Sequence, residues 1–161
     1  QPPEFSSLTE NSGRKLIASR IDSSGGREGR RCAVLELAAG SGGESICNFP
    51  VSIPLSDKPF AFRVAVKPEP ECAAKLFVGY WFDYARKSDA TNDGTVRDLG
   101  DGWRLIELKR DFFTERTAAA KKGGYDASGG VINRIGLSLP PGDALRCIVD
   151  RVELSIPQAG Q

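Results

Sequence analysis

Two stretches of this 161-residue chain carry side chains with chemical potential. One is Ile148-Val149-Asp150-Arg151-Val152-Glu153-Leu154, an acid among branched apolar residues. Strand alternation puts Ile148, Asp150, Val152 and Leu154 on one face and Cys147, Val149, Arg151 and Glu153 on the other. The first face is the more apolar, so it is expected to meet the core and to carry the Asp150 carboxylate inward. A carboxylate there is costly unless it is paired or bound to a metal. The other stretch is Phe77-Val78-Gly79-Tyr80-Trp81-Phe82-Asp83-Tyr84. Leu76, Val78, Tyr80 and Phe82 suit a core face, which leaves Lys75, Phe77, Gly79, Trp81 and Asp83 on the opposite one. A flat aromatic against the C–H face of a sugar ring, with charged side chains for its hydroxyls, is what glycan binding needs. Trp81 with Phe77, flanked by Lys75 and Asp83, has those ingredients, and Arg63 and Arg134, outward by parity, add donors. The competing reading is that strand aromatics are core. Tyr125, between Gly124 and Asp126 in a glycine-rich loop, and Tyr84 are the next candidate sugar contacts. Trp103, opening a strand after Gly102, reads as a core anchor.

Acids at Asp83, Asp89, Asp93, Asp98, Asp101 and Glu107 are the raw material of a glycosidase pair. That chemistry needs two carboxylates at a set separation in a cleft, and no motif here specifies one. The chain has no His, which excludes Ser-His-Asp and Cys-His catalysis and His-containing zinc sites within it. The formal charge is +1, so bulk electrostatics predict no nucleic-acid partner. No apolar run is long enough to span a bilayer, and no membrane partner is expected. The basic clusters Arg27–Arg31 and Lys121–Lys122 read as solvated turns, with contact to an anionic polysaccharide as the sharper alternative.

Cys32, Cys47, Cys72 and Cys147 show no C-x-x-C spacing, so neither zinc nor thioredoxin-like chemistry follows. Either they form disulfides, implying an oxidising compartment, or they are four buried thiols. Parity places Cys32 and Cys147 outward and Cys47 and Cys72 inward, favouring the pairs Cys32–Cys147 and Cys47–Cys72. One bulge reverses a face.

The elements that position these residues are short strands. Strand-like stretches occur at 15–21, 31–38, 46–53, 59–67, 74–84, 95–99, 103–109, 131–139 and 146–156, separated by glycine-rich turns. Residues 111–122 allow one short helix. Pro50, Pro54 and Pro59 mark edges or strand ends. The pattern predicts an all-β antiparallel fold, a β-sandwich or a barrel. Residues 1–14 read as an N-terminal extension, 15–156 as the sandwich and 157–161 as a linker stub. The chain opens Gln1-Pro2-Pro3 and contains no Met, which reads as a mature or excised domain.

The closing series carries a resemblance. Gly102-Trp103-Arg104-Leu105-Ile106-Glu107-Leu108 leads through Asp111-Phe112-Phe113 to Ile132-Asn133-Arg134-Ile135-Gly136-Leu137 and then to Ile148–Leu154. It resembles the closing half of jelly-roll carbohydrate-binding modules, the galactose-binding-like β-sandwiches found beside glycoside hydrolases. The resemblance implies a jelly roll and a noncatalytic module that targets an attached polysaccharide-degrading enzyme to its glycan. It also implies a polysaccharide or oligosaccharide ligand, a covalently linked catalytic domain and a secreted or extracellular location, periplasm and cell surface included. In such modules an Asp of the last strand often helps hold a structural calcium, so Asp150 is the expected ligand, with Asp22 and Glu28 as partners. Arg151 departs from the pattern, standing where a second acid or amide is frequent. Two alternatives remain: a structural accessory domain packed on a catalytic partner, and a jelly-roll polysaccharide lyase or glycosidase.

Overall fold

The computed structural model describes residues 6–8, 13–54, 60–82, 85–91, 95–110 and 130–155. Among these, eleven strands follow one another: β1 (Ser6–Leu8), β2 (Leu16–Asp22), β3 (Cys32–Leu37), β4 (Ser45–Pro54), β5 (Phe60–Glu69), β6 (Lys75–Phe82), β7 (Ala85–Thr91), β8 (Thr95–Gly100), β9 (Trp103–Arg110), β10 (Val131–Leu139) and β11 (Leu145–Ser155). A single 3-10 turn at Arg27–Gly29 interrupts them. The chain is an antiparallel β-sandwich of jelly-roll type, as expected. A five-stranded sheet has the order β1-β4-β10-β6-β7, and a six-stranded sheet the order β2-β3-β11-β5-β9-β8. The extension expected at 1–14 contributes β1, which pairs with β4 through Ser6–Asn48 and Leu8–Ile46.

Alternation explains why these segments are strands. Ala33, Leu35 and Leu37 of β3 face the core with Phe62, Val64 and Val66 of β5 and Ile106 and Leu108 of β9. From the other sheet they meet Cys47, Leu76, Val78, Tyr80, Leu137 and Leu139. Burial of this apolar area is the main stabilising term. Ile132 and Ile135 both lie in the core although three positions apart, because β10 shifts register between Ile132 and Arg134. Trp103 is buried, in keeping with a structural role.

Proline placement follows from hydrogen-bond demand. Pro50 lies within β4, flanked by β1 and β10, but among the described residues β1 pairs only with Ile46–Asn48, which leaves that side of Pro50 open among them. Pro68 pairs with Cys147 of β11, while the β9 ladder stops at Val66. Each proline therefore costs no ladder bond on its open side. Between β8 and β9, Gly100, Asp101 and Gly102 all have positive φ (88°, 55° and 83°), which makes the turn tight enough to pair Gly100 with Trp103.

Arg14 fastens the start of the sandwich to its end. Its side chain is buried, donating from Nε to the Asp143 carbonyl and from Nη1 to the Pro140 carbonyl, both at 2.7 Å. The Arg14 carbonyl in turn accepts from Ser45 Oγ.

All four cysteines are thiols. Cys147 lies in the core beside Cys47, whereas Cys32 is buried outside the core cluster. The Cys32–Cys147 pair is therefore overturned: the two sulfurs lie on opposite sides of one sheet. The inverted parity comes from the last strand, where β11 shifts register against β5 between Val149 and Arg151. Before that bulge Leu145, Cys147 and Val149 face the core. After it, Val152 pairs with the core residue Val64. Asp150 is the extra residue. The Cys47–Cys72 link is likewise absent, and Cys72 packs half-buried against the core.

Candidate binding faces

Two outer faces carry the chemistry, one on each sheet. On the five-stranded sheet, Leu76, Val78 and Tyr80 point to the core. Lys75, Phe77 and Gly79 are thereby turned outward, as alternation predicts, and Trp81 continues that set by strand position. Register places Lys75 beside Ser138, Phe77 beside Gly136 and Gly79 beside Arg134, with Trp81 across from Val131 and Arg86. On the far side of β10, Gly136 adjoins Asn48 and Arg134 adjoins Pro50. The face thus aligns Lys75, Arg134, Ser138 and Asn48 with Phe77 and the Trp81 position.

Its polar groups are already organised. Ser138 Oγ donates to Glu44 Oε2 at 2.6 Å, and Lys75 Nζ donates to Glu44 Oε1 at 3.3 Å. The Ser138 hydroxyl, helped by Lys75, holds the Glu44 carboxyl below the ordinary glutamate range against a smaller opposing effect of burial. Gly136 is dictated by closeness: a Cβ there would meet the Cys47 carbonyl oxygen at 2.0 Å and Asn48 Cα at 2.6 Å.

Phe77 departs from its expected role. It is 4 % exposed, so its ring is closed to a sugar. At Gly79 a Cβ would press on Asn133 Oδ1 at 3.0 Å and Arg134 Cβ at 3.3 Å, and would only touch the Phe77 ring, at 3.7 Å. Arg63 is also misplaced by parity alone. It is on β5, in the six-stranded sheet, and donates to Glu107. It cannot share a platform with Trp81. Lys75 and Arg134 do share that sheet face. Asp83, Tyr84 and Tyr125 lie outside the described residues, as do the 111–122 segment and the side chain of Trp81. Sequence reasoning missed Asn48, Ser138 and Glu44. The only signal was their cross-strand register, which a single strand's alternation does not contain.

The Asp150 site is built by the β11 bulge and the turn after β2. Asp150 is not aimed into the core, yet its side chain is only 1 % exposed. Arg30 Nη2 donates to its Oδ2 at 2.9 Å, and Arg30 Nη1 reaches Glu28 Oε2 at 3.3 Å. Asp22 is engaged in its own turn, its Oδ1 accepting from the Ser24 and Gly25 amides at 2.9 Å. Asp22 and Asp150 both border Cys32, whose thiol is pushed up first by burial and then by their charges. The three acids named for calcium thus gather at one junction. Their donor set does not fit calcium, because a guanidinium bridges Asp150 and Glu28 where the ion needs oxygens. Among the described residues no group of three or more His, Cys, Asp or Glu is placed to hold a metal ion. Asp150 Oδ1 is buried without a hydrogen-bond partner among the described residues.

Two of the acids considered for catalysis are engaged elsewhere. Asp98 Oδ1 accepts from the Gly100 amide at 2.8 Å, and Glu107 pairs with Arg63 and, at 3.8 Å, with Lys109. Asp101 stands exposed in the β8–β9 turn.

No protein-family model and no curated protein matches the chain. Solved structures do. The family 30 carbohydrate-binding module of the cellulosomal cellulase Cel9D-Cel44B of Clostridium thermocellum aligns at a TM-score of 0.61 and 10 % identity, covering 98 % of this chain and 94 % of that one. The family 11 module from Clostridium thermocellum, in complex with a β-1,3-1,4-mixed-linked tetrasaccharide, aligns at 0.53 and 12 % identity, covering 93 % and 87 %. The Clostridium thermocellum xylanase 10B, its CBM22-1 and GH10 modules complexed with xylohexaose, aligns at 0.55 and 11 % identity, covering 96 % of this chain and 26 % of that one. At these identities the likeness is one of fold: the chain has the β-sandwich jelly roll of carbohydrate-binding modules.

Proposed function

We propose that this chain is a noncatalytic glycan-binding module, and that its ligand lies across the outer face of the five-stranded sheet. One observation carries the reading. A sheet face turned away from the core carries the hydrogen-bonding side chains of Lys75 and Arg134 with the Trp81 position, while Asn48 and Ser138, each 1 % exposed, lie buried in it. A sugar needs that pairing of an aromatic for its C–H face with fixed donors and acceptors for its hydroxyls. The neighbours in complex with a mixed-linked tetrasaccharide and with xylohexaose support the reading.

In this role the face is preformed. The Glu44–Ser138–Lys75 chain of bonds fixes side chains before ligand arrives, which lowers the entropy cost of binding. Covalent linkage to a polysaccharide-degrading enzyme would then raise that enzyme's local concentration on a polymer. The module would act outside the cell, where such polymers are met. Structural calcium at Asp150 forms no part of this function, since Arg30 already neutralises that carboxylate. A glycan microarray tests the reading: discrete binding to one linkage class is expected. Turnover of a polysaccharide by the purified chain would favour a lyase or glycosidase instead.

A further inference from the structure

The opposite sheet carries a second constellation. On the outer side of the six-stranded sheet, Arg97, Leu105, Ala65 and Arg151 lie in one cross-strand row over β8, β9, β5 and β11. The adjacent row brings Glu107, Arg63 and Glu153 together. Beyond β11, the bulge at Asp150 and the 3-10 turn add Arg30 and Arg27. All of these but Glu107 line a hollow of about 140 Å³ in which Ala65, Leu99 and Leu105 supply apolar lining.

Five guanidiniums line it against two carboxylates, Asp150 and Glu153. Three are engaged: Arg30 on Asp150 at 2.9 Å, Arg151 on Glu153 at 2.7 Å, and Arg63 on Glu107. Arg27 and Arg97 line the same hollow and have no acid partner among the described residues. The chain as a whole is almost neutral, at +1. This concentration of cations is therefore local, and a cleft with an excess of one sign focuses its field on a ligand of the other.

We propose that this hollow binds an anionic sugar residue of an acidic glycan, its carboxylate or sulfate taken by Arg27 and Arg97. The guanidinium fork matches both oxyanions in geometry. The small apolar lining receives the C–H side of the sugar ring. Glu153 in the lining accepts hydrogen bonds, so a ligand with hydroxyl donors beside its anion is matched at both ends. A phosphodiester backbone offers acceptors alone, which disfavours nucleic acid. The volume is below the roughly 300–1,000 Å³ of a whole small-molecule site, so one residue enters and the polymer continues outside. The proposal shares with the first reading only that the ligand is a glycan; the two sites lie on different sheets.

The test is affinity gel electrophoresis of the full chain in polygalacturonate, dextran sulfate, neutral dextran and duplex DNA. Retention by an acidic polymer and not by neutral dextran is expected, and the two acidic gels tell carboxylate from sulfate. Arg27→Gln and Arg97→Gln, both at side chains without ion partners among the described residues, should each weaken that retention about tenfold or more, the loss of one charge-assisted bond. Their melting temperatures should stay at wild type. Trp81→Ala should keep acidic-polymer retention, so failure of the first site is separable from failure of this one. Retention by neither acidic polymer, retention unchanged in the double variant, or equal retention by duplex DNA would overturn the proposal.

Discussion

Arg30 reaches across 120 residues of chain to hold Asp150 at 2.9 Å, tying the turn after β2 to the bulge of the last strand. The carboxylate side is 1 % exposed and the guanidinium side 42 %. Asp150 has no other partner among the described residues, and its Oδ1 is already unsatisfied. Removing Arg30 strands a buried charge, whereas removing Glu28, whose side chain is 74 % exposed, costs little. Arg30→Ala should lower the melting temperature by several degrees and Glu28→Ala should leave it nearly unchanged. Calcium or a chelator should move neither wild type nor variant. Calorimetry in the two buffers checks this, and a calcium-dependent rise would restore the metal at this junction.

Thiol chemistry follows from burial. Burial pushes the Cys47 thiol up to about 12 and Cys147 higher still, so neither forms thiolate at neutral pH. Thiol titration of the denatured, unreduced protein should find four, and titration of the native protein should find slow reaction with half-buried Cys72 first. Fewer than four in the denatured chain would establish a disulfide.

Close approach of β4 and β10 makes Gly136 intolerant of any side chain. Gly136→Ala must push the Cys47 carbonyl and the Asn48 backbone away, and backbone does not yield as a flexible side chain does. The expected cost is about 1–3 kcal/mol, the range for overpacking. Urea unfolding measures it, and an unchanged midpoint would contradict the register of this pair.

Where the sequence could be read, alternation was the reason. The nine strands with apolar alternation or turn-bounded runs were legible. β7, Ala85-Arg86-Lys87-Ser88-Asp89-Ala90-Thr91, was not, because an edge strand of polar residues carries no core signal. The orientation of Asp150 and Cys147 was illegible for a different reason. One extra residue at the bulge reverses the faces, and nothing local in Ile148–Leu154 announces it. Arg63 shows a third limit: parity says which residues share a side of a strand, and leaves open which sheet the strand joins. Of the proposed platform, Lys75 and Arg134 fall on one face, Phe77 is sealed beside Gly79, and Arg63 moves to the other sheet.

Glu44 gives the binding face a pH signature. Its carboxyl titrates below the ordinary range, first because Ser138 donates to it and then because Lys75 is near. A depressed carboxyl stabilises the fold above the unfolded value of about 4.3 and loses that contribution as pH falls through the folded value. Ser138→Ala should therefore be less stable than wild type at neutral pH, with the gap narrowing below about pH 4. Paired urea melts across that range check it; a gap that widens on acidification would reverse the assignment.

The proposed function rests on a glycan bound across the outer face of the five-stranded sheet. Its most direct test is titration calorimetry with the oligosaccharide class selected by the microarray, on wild type, Trp81→Ala and Arg134→Ala. The account predicts that Trp81→Ala abolishes measurable heat while the protein stays folded, and that Arg134→Ala weakens binding about tenfold, as expected for a lost charged hydrogen bond. A folded Trp81→Ala that binds as wild type does would contradict it. So would a Trp81→Ala that unfolds, since truncating a core Trp costs about 3–5 kcal/mol.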